Sequence, residues 1–491
     1  KPRDLAQAIV VALSGQDELI ESMEVAGPGF VNFRLSGKFW GQALERVLKL
    51  GADYGRGQPT GRKVLIEYVS ANPTGPLHVG HGRGAALGDA LARILAFIGD
   101  EVSCEYYVND AGRQIRILGE SVLARLREIQ GQKVEIPQDF YQGDYISDIA
   151  RDLSPSLGPE FEALGEDAKA EFLSQKAMNI LLDEIKKELK GFGIRHDTWF
   201  SEKSLYDKHL VEECFDFLDK KGHTYRKAGA LWFKSTAFGD DKDRVLVKSD
   251  GEMTYFASDI AYHKGKFDRG FDFLIDLWGS DHHGYIPRVK AAIEALGHPK
   301  GELDVVLLQF VNLFKDGELV SMSKRNADFV TLAEVLKEVG PDAARFMYLT
   351  RNHDSTLDFD LDLAKSQSRD NPVFYVQYVC ARVNSLLAKA GAISAMPDPA
   401  LLALGDELEI IKSLASFPET VATAARRLEP HLLTVYLTGL AKLFHQYYGA
   451  YRLVDPENPA LTAARLELAK AIKQVIVIGL DLLGVSAPEK M

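Results

Sequence analysis

The stretch KVLIEYVSANPTGPLHVGHGRGAALGDALARILAFIGDEVSCEYYV (63–108) decides how the fold is read. Its opening, residues 63–69, is a short apolar run of the kind that fills a buried parallel strand. Pro73 and Pro76 hold the following loop extended, and the spacing then predicts a helix from about Val79 to Ile98 and a second strand over 102–108. Strand, helix and strand in this order make a right-handed crossover unit, the element of a parallel sheet covered by helices. Gly80, Gly82, Gly84 and Gly88, with Ala85 and Ala86, leave one helix face nearly bare. Each glycine costs a helix about 1 kcal/mol against alanine, so something must approach the backbone closely. A helix N-terminus presents free N–H groups and partial positive charge, and the expected visitor is a phosphate. Tight packing of the helix against protein is the other reading. His78 and His81 have the spacing of a metal couple, yet no third ligand of usual spacing lies nearby.

Upstream, Leu5–Leu19 is helix-like. Residues 24–35 (EVAGPGFVNFRL) alternate as a half-buried strand does, Val31, Phe33 and Leu35 against Phe30, Asn32 and Arg34. The Gly/Pro-rich segment GRGQPTGR (55–62) reads as a connector and a domain boundary. Downstream, residues 115–220 look helical and charged, as an insertion carried on the sheet would. Asp-Gly pairs at 250–251 and 316–317 mark hairpin turns. Apolar runs at 271–278 and 304–311 flank a helical Ile286–Leu296 and form a second β–α–β half. From about Leu361 to Leu483 the pattern is helical throughout. The expected organisation is a front remnant over 1–60, a parallel-sheet domain over 61–358 and a helical domain over 359–491.

The chain has 491 residues, 46% of them hydrophobic and 26% charged, which excludes a disordered, collagen-like or disulfide-stapled protein. The formal net charge of −12 gives no global attraction for nucleic acid, although a local basic face remains open. Cys104, Cys214 and Cys380 are widely separated and odd in number, so we expect reduced thiols of a cytosolic protein rather than a framework or a zinc site. No apolar run is long enough to suggest a membrane span. Lys1 in place of Met suggests that a natural front end precedes it.

HisValGlyHis (78–81) resembles the HIGH signature of class I aminoacyl-tRNA synthetases, and ValSerMetSerLysArg (320–325) resembles their KMSKS loop, with Ser321 in place of the first lysine and Arg325 in place of the final serine. Longer stretches are similar to bacterial arginyl-tRNA synthetases: EYVSANPTGPLHVGH (67–81), YVNDAGRQ (107–114), LWGSDHHGYIPR (277–288), EVGPDAARF (338–346), YVQYVCAR (375–382) and LDLLGV (480–485). The resemblance covers essentially the whole chain. It implies an α/β Rossmann-type catalytic core with helical insertions and an all-α C-terminal anticodon-binding domain. It also implies that an amino-acid carboxylate attacks the α-phosphorus of ATP, giving an aminoacyl-adenylate and pyrophosphate, before transfer to tRNA. Charge grows on phosphate oxygens in that step, so fixed donors and cations are what catalysis needs.

By the same resemblance His78, His81 and Lys324 act on the phosphates, with Met322 and Ser323 positioning the lysine. Gly80 admits adenine, and Asp281 and His282 face ATP or the amino acid. Asp281, His282 and His283 also have the composition of a metal cluster. The family reading puts Glu67 and Asn72 near bound arginine, and Tyr255 and Asp259, four residues apart on one face if that segment is helical, on its guanidinium. An ordinary solvated Asp and a packed Tyr are the alternative. Mg²⁺ is expected with ATP, and zinc is not. The expected partners are L-arginine and tRNA(Arg), with no membrane; the expected protein is a cytoplasmic monomer whose tRNA must bind before arginine is activated. Arg382, Lys389, Arg426, Arg427 and Lys442 could form an RNA-facing stripe. Phe444, Tyr447, Tyr448 and Tyr451 could stack bases or, at helical spacing, fill the core. Two rivals stand beside this reading: a cysteine-specific relative, which would want a zinc-binding Cys/His set, and a non-catalytic RNA-binding paralogue.

Overall fold

The computed structural model describes residues 1–15, 17–320, 330–391 and 393–491. Ser321, Met322, Ser323, Lys324 and Arg325, and with them the KMSKS-like reading, lie outside the described residues.

Residues Pro59–Lys365 form one unit. Its centre is a five-stranded sheet built from β1 (Lys63–Glu67), β2 (Glu101–Val108), β3 (Thr198–Ser201), β4 (Phe273–Gly279) and β5 (Leu303–Leu308). All neighbours are parallel, in the order β5–β4–β1–β2–β3. The chain therefore runs to opposite sides of β1, and the carboxyl ends of β1 and β4 flank the switch point where ligands of such sheets sit. Helix α1 (Val79–Phe97) connects β1 to β2, and α2 (Tyr255–Asp268) precedes β4. The helix Ile286–Leu296 joins β4 to β5, as expected.

The glycine face of α1 is filled by protein. A Cβ on Gly88 would stand 2.2 Å from the Tyr68 ring, and one on Gly82 would stand 2.6 Å from the Tyr348 hydroxyl. Gly84 faces Leu308 at 3.2 Å. Close packing explains these three glycines, and the expectation of a phosphate along that face is corrected: only the first turn, at Gly80, is left half-exposed. Arg83 is buried in the same helix and donates to the carbonyls of Gln309 and Asn352, 2.8 Å each.

The expected insertion over 115–220 ends earlier than that. Helices Arg113–Ile129, Asp144–Leu153 and Glu166–Gly191 share a core of their own, but Thr198–Ser201 returns to the sheet as its edge strand. Four residues without an apolar run carry too little pattern to be seen in sequence. A separate antiparallel sheet, Thr224–Lys227, Ala230–Phe233 and Arg244–Val247, likewise carries too little pattern. Asp316 and Gly317, both at positive φ, turn Val311–Lys315 back onto Glu318–Leu319 as the Asp-Gly pair predicts.

Residues Lys1–Gln58 and Ser366–Met491 form the other unit. Its helices Pro372–Ala390, Gly405–Arg427, His431–Ala450 and Pro459–Leu482 are joined by Gly37–Leu50, which packs on the second and fourth of them. Tyr54 donates to the Leu414 carbonyl at 2.9 Å and stacks on Phe417. The front segment thus shares a core with the tail. Ahead of it, Pro2–Leu13 is followed by a hairpin, Ile20–Ala26 with Phe30–Leu35. The strand at 30–35 forms as expected, but its alternation does not bury Phe33, which is 48% exposed. Among the described residues no helix is long and apolar enough to cross a membrane.

Candidate active site

Loop 68–78 leads from the end of β1 to the start of α1. It opens with Val69 and Ser70, both at positive φ, a costly conformation for a β-branched residue and one that marks a constrained functional turn. Ser70 Oγ donates to Glu67 Oε1 at 2.9 Å and accepts from the Tyr107 backbone N–H at 3.1 Å. Tyr106 and Tyr145 donate to the carbonyls of Ala71 and Thr74, at 2.7 and 2.8 Å, and clamp the rest of the loop. Asn72 is exposed and donates to Gln114 Oε1 at 2.6 Å.

His78 caps α1. Its Nδ1 accepts from Gly80 N–H at 3.1 Å, while His81 Nδ1 accepts from His78 N–H at 3.1 Å, and the two rings stack with centroids 3.6 Å apart. With each Nδ1 accepting, a neutral ring carries its proton on Nε2 and presents it as a donor. A Cβ on Gly80 would press on the His78 ring at 3.0 Å, so the absent side chain also keeps that ring in place. Leu332 N–H donates to Leu77 O at 2.8 Å and Val79 N–H to Val330 O at 3.2 Å. The HIGH-like turn is thereby paired with residues 330–332, which lie beyond the KMSKS-like stretch in the sequence.

Tyr255 is the first residue of α2 and 68% exposed; Asp259 lies one turn later on the same face. The Asp259 carboxylate accepts from the Tyr285 hydroxyl. Burial raises its carboxyl, with the Tyr285 bond opposing. Beside it stands Glu202, which the sequence reading missed. It is 4% exposed, follows directly on β3, and lies within 3.4 Å of Ser258 Oγ. Burial and the Asp259 charge push its carboxyl up to about 7. Among the described residues neither Glu202 nor Asp259 is ion-paired to a lysine or arginine. A buried and a half-buried carboxylate without a lysine or arginine partner favour a cationic ligand, because one bound positive charge relieves both. The cue available in sequence was position: ligand residues cluster at the carboxyl ends of parallel strands, but β3 itself was not recognised.

Glu67 is buried and held by Lys266 Nζ at 2.7 Å. Asp281, His282 and His283 occupy an exposed single turn after β4, with His282 Nε2 3.7 Å from Asp281 Oδ2. Among the described residues no group of three or more His, Cys, Asp or Glu is arranged to hold a metal ion. All three cysteines are buried free thiols.

In the helical unit Phe444 and Tyr447 are core, and Tyr447 donates to Glu407 Oε1 at 2.7 Å. Tyr448 and Tyr451 are half-buried. Arg382 lies between the rings of Tyr378 and Tyr448, 4.6 and 5.0 Å from their centroids. Lys389, Arg426, Arg427 and Lys442 are exposed.

Comparison with known proteins gives the family. Family models for the arginyl-tRNA synthetase N-terminal domain, the class I (R) tRNA synthetase catalytic domain and the DALR anticodon binding domain match residues 1–35, 43–365 and 376–491. An arginine–tRNA ligase of Desulfosudis oleivorans is 52% identical over all of this chain and 90% of its own length. A solved chain from Campylobacter jejuni superposes with a TM-score of 0.85 at 36% identity, covering 93% of this chain and 100% of that one. The arginyl-tRNA synthetase of Thermus thermophilus gives 0.79 at 26% identity, over 100% of this chain and 92% of that one. With its parallel-sheet catalytic domain and its helical DALR domain, the chain belongs to the arginyl-tRNA synthetase family of class I.

Proposed function

We propose that this chain activates L-arginine with ATP at the carboxyl end of its parallel sheet and passes the arginyl group to tRNA(Arg). The observation that carries the substrate is the pairing of half-buried Asp259 with buried Glu202, whose carboxyls suit the charge and the planar fork of a guanidinium. Tyr255 covers the guanidinium, while Glu67 and Asn72 hold the amino-acid end near the constrained turn at Val69 and Ser70. The arginine carboxylate attacks the α-phosphorus, and pyrophosphate leaves. His78 and His81 donate from Nε2 to the phosphate oxygens on which charge develops. Gly80 leaves room for adenine, Asp281 and His282 line the nucleotide side, and Mg²⁺ enters on the ATP phosphates. Lys324, positioned by Met322 and Ser323, acts on the β- and γ-phosphates; this role rests on the sequence motif alone.

Transfer follows when the terminal adenosine hydroxyl attacks the activated ester, with positioning supplying most of the rate. The helical domain contacts the tRNA: Arg382 with Tyr378 and Tyr448 suits a stacked base, and the exposed lysines and arginines suit phosphates. The same reading makes the protein a cytoplasmic monomer in which arginine activation waits for bound tRNA.

ATP–pyrophosphate exchange with each amino acid, with and without tRNA, tests the proposal. Exchange with arginine alone supports it, and dependence on tRNA supports the ordered binding. Equal exchange without tRNA removes the ordering. Exchange with another amino acid, or none from a folded full-length chain, removes the substrate assignment.

A further inference from the structure

Glu67, Glu105 and Asp276 stand in one row. They are register partners on the adjacent parallel strands β1, β2 and β4, so their side chains leave the sheet on the same face. All three are buried. Carboxylates this close in a poorly solvated layer repel strongly unless cations meet them.

The cations come from α2 and the residue that caps it. Lys266 Nζ bridges Glu67 Oε2 and Asp276 Oδ1, 2.7 Å to each. Arg269 forks onto both oxygens of Glu105, which also accepts from Tyr262 at 2.7 Å. His263 Nε2 lies 2.9 Å from Asp276 Oδ2. Positions 255, 259, 262, 263 and 266 recur every three or four residues, so one stripe of the helix carries both the arginine-facing residues and their supports.

His263 has a second bond. Its Nδ1 lies 2.7 Å from the backbone carbonyl oxygen of Asp259. A carbonyl and a carboxylate both accept, and a neutral imidazole has one N–H to give. Both contacts are made only if the ring carries two protons or if Asp276 carries one. Lys266 Nζ, 2.7 Å from Asp276 Oδ1, favours the ionised carboxylate, which leaves the doubly protonated ring as the state that makes both contacts.

We propose that His263 is an imidazolium in the resting enzyme and a positioning residue for arginine, tying the helix turn that presents Asp259 to Asp276 of β4 and supplying the third positive charge opposite the three strand carboxylates. The charged groups that act on it are Asp276 from β4 and Asp259 from its own helix, and Lys266, which bridges Asp276 and Glu67, completes the layer around it. With three acids met by three cations, Asp259 and Glu202 face the ligand without a lysine or arginine partner among the described residues. The inference rests on Asp259 as the guanidinium partner.

Two experiments on the full chain decide it. Ring-nitrogen NMR of histidine-labelled protein at about pH 7.5 should show one histidine with both nitrogens protonated, and that signal should vanish in His263→Gln. A vanishing signal of a neutral ring overturns the charge assignment. In arginine-dependent pyrophosphate exchange, His263→Gln should raise the KM for arginine about tenfold while kcat and the KM for ATP stay within about twofold. His263→Gln with Asp276→Asn removes both charges of the pair together; it should fold and keep the raised KM. A wild-type arginine KM in either folded variant overturns the positioning role. Asp259→Asn, run alongside, separates the ideas. An unchanged arginine KM there overturns the guanidinium reading and the positioning role with it. A raised KM there beside a wild-type KM in His263→Gln overturns the positioning role alone.

Discussion

Helices α1 and α2 flank the same strands from opposite faces and are held there by opposite physics. On α1 the contact is bare backbone against rings, with Gly88 on Tyr68 and Gly82 on Tyr348. On α2 it is charge against charge, with Lys266 and His263 reaching the carboxylates of β1 and β4 and Arg269, at the helix end, reaching that of β2. In the proposed function the apolar helix brings its N-terminal cap to the ATP phosphates, and the polar helix brings Asp259 to arginine. Residue type therefore misleads at both: glycines that suggest a ligand are packing, and charges that suggest a solvated face are interior.

Lys266→Met should have the largest effect. It leaves buried Glu67 without a cation and Asp276 with His263 alone, and should cost about 3–5 kcal/mol of stability, read by denaturant unfolding. A loss near zero would show that the polar helix does not need its ions. Gly88→Ala should follow at about 2–3 kcal/mol, because a Cβ 2.2 Å from the Tyr68 ring forces the helix or the ring to move. Its counterpart Gly84→Ala meets only the end of Leu308, 3.2 Å away, and should change stability by less than about 1 kcal/mol. Equal losses at the two positions would mean that contact distance does not set the packing of α1.

Glu202→Gln should raise the arginine KM by about tenfold or more and leave the ATP KM nearly unchanged. The pH dependence of the wild type is a subtler probe. Glu202 is pushed up to about 7 in the unliganded protein from an ordinary value of 4.5, so the folded state holds the extra proton between those values. That group's contribution to stability is complete below 4.5 and is lost as pH rises through about 7. Arginine prefers the ionised carboxylate, so the arginine KM should fall severalfold as pH rises from about 6 to 8. The slope should flatten in Glu202→Gln; an unaltered slope would assign the titration to another group.

The β–α–β core, the helix Ile286–Leu296, the Asp316–Gly317 turn and the helical tail were legible because each carries its own period or turn chemistry over enough residues. Thr198–Ser201 was not, being a short edge strand that takes its identity from β2, and Glu202 was missed with it. The union of Gly37–Leu50 with the tail is set by contacts across several hundred residues, which no local pattern records. The candidate site was legible at His78, His81, Tyr255 and Asp259 through motif resemblance. The ions beneath it were not. Glu67, Glu105 and Asp276 come into one row only through strand register, and TyrHisLysGlyLysPhe (262–267) reads as an ordinary exposed helix.

That row bears on how the chain finds its fold. A parallel strand that pairs one residue out of step turns every side chain to the other face. For β1 such an error would carry Glu67 away from Lys266 and bury it on the side where Tyr68 and Gly88 pack. The same holds for β2 with Glu105 and for β4 with Asp276. Apolar strands such as these tolerate misalignment easily, since one valine or leucine replaces another at little cost. A single charged layer lowers that tolerance: a misaligned strand would carry an unneutralised carboxylate into the interior at high cost, so the ions beneath the candidate site also favour one register of the sheet.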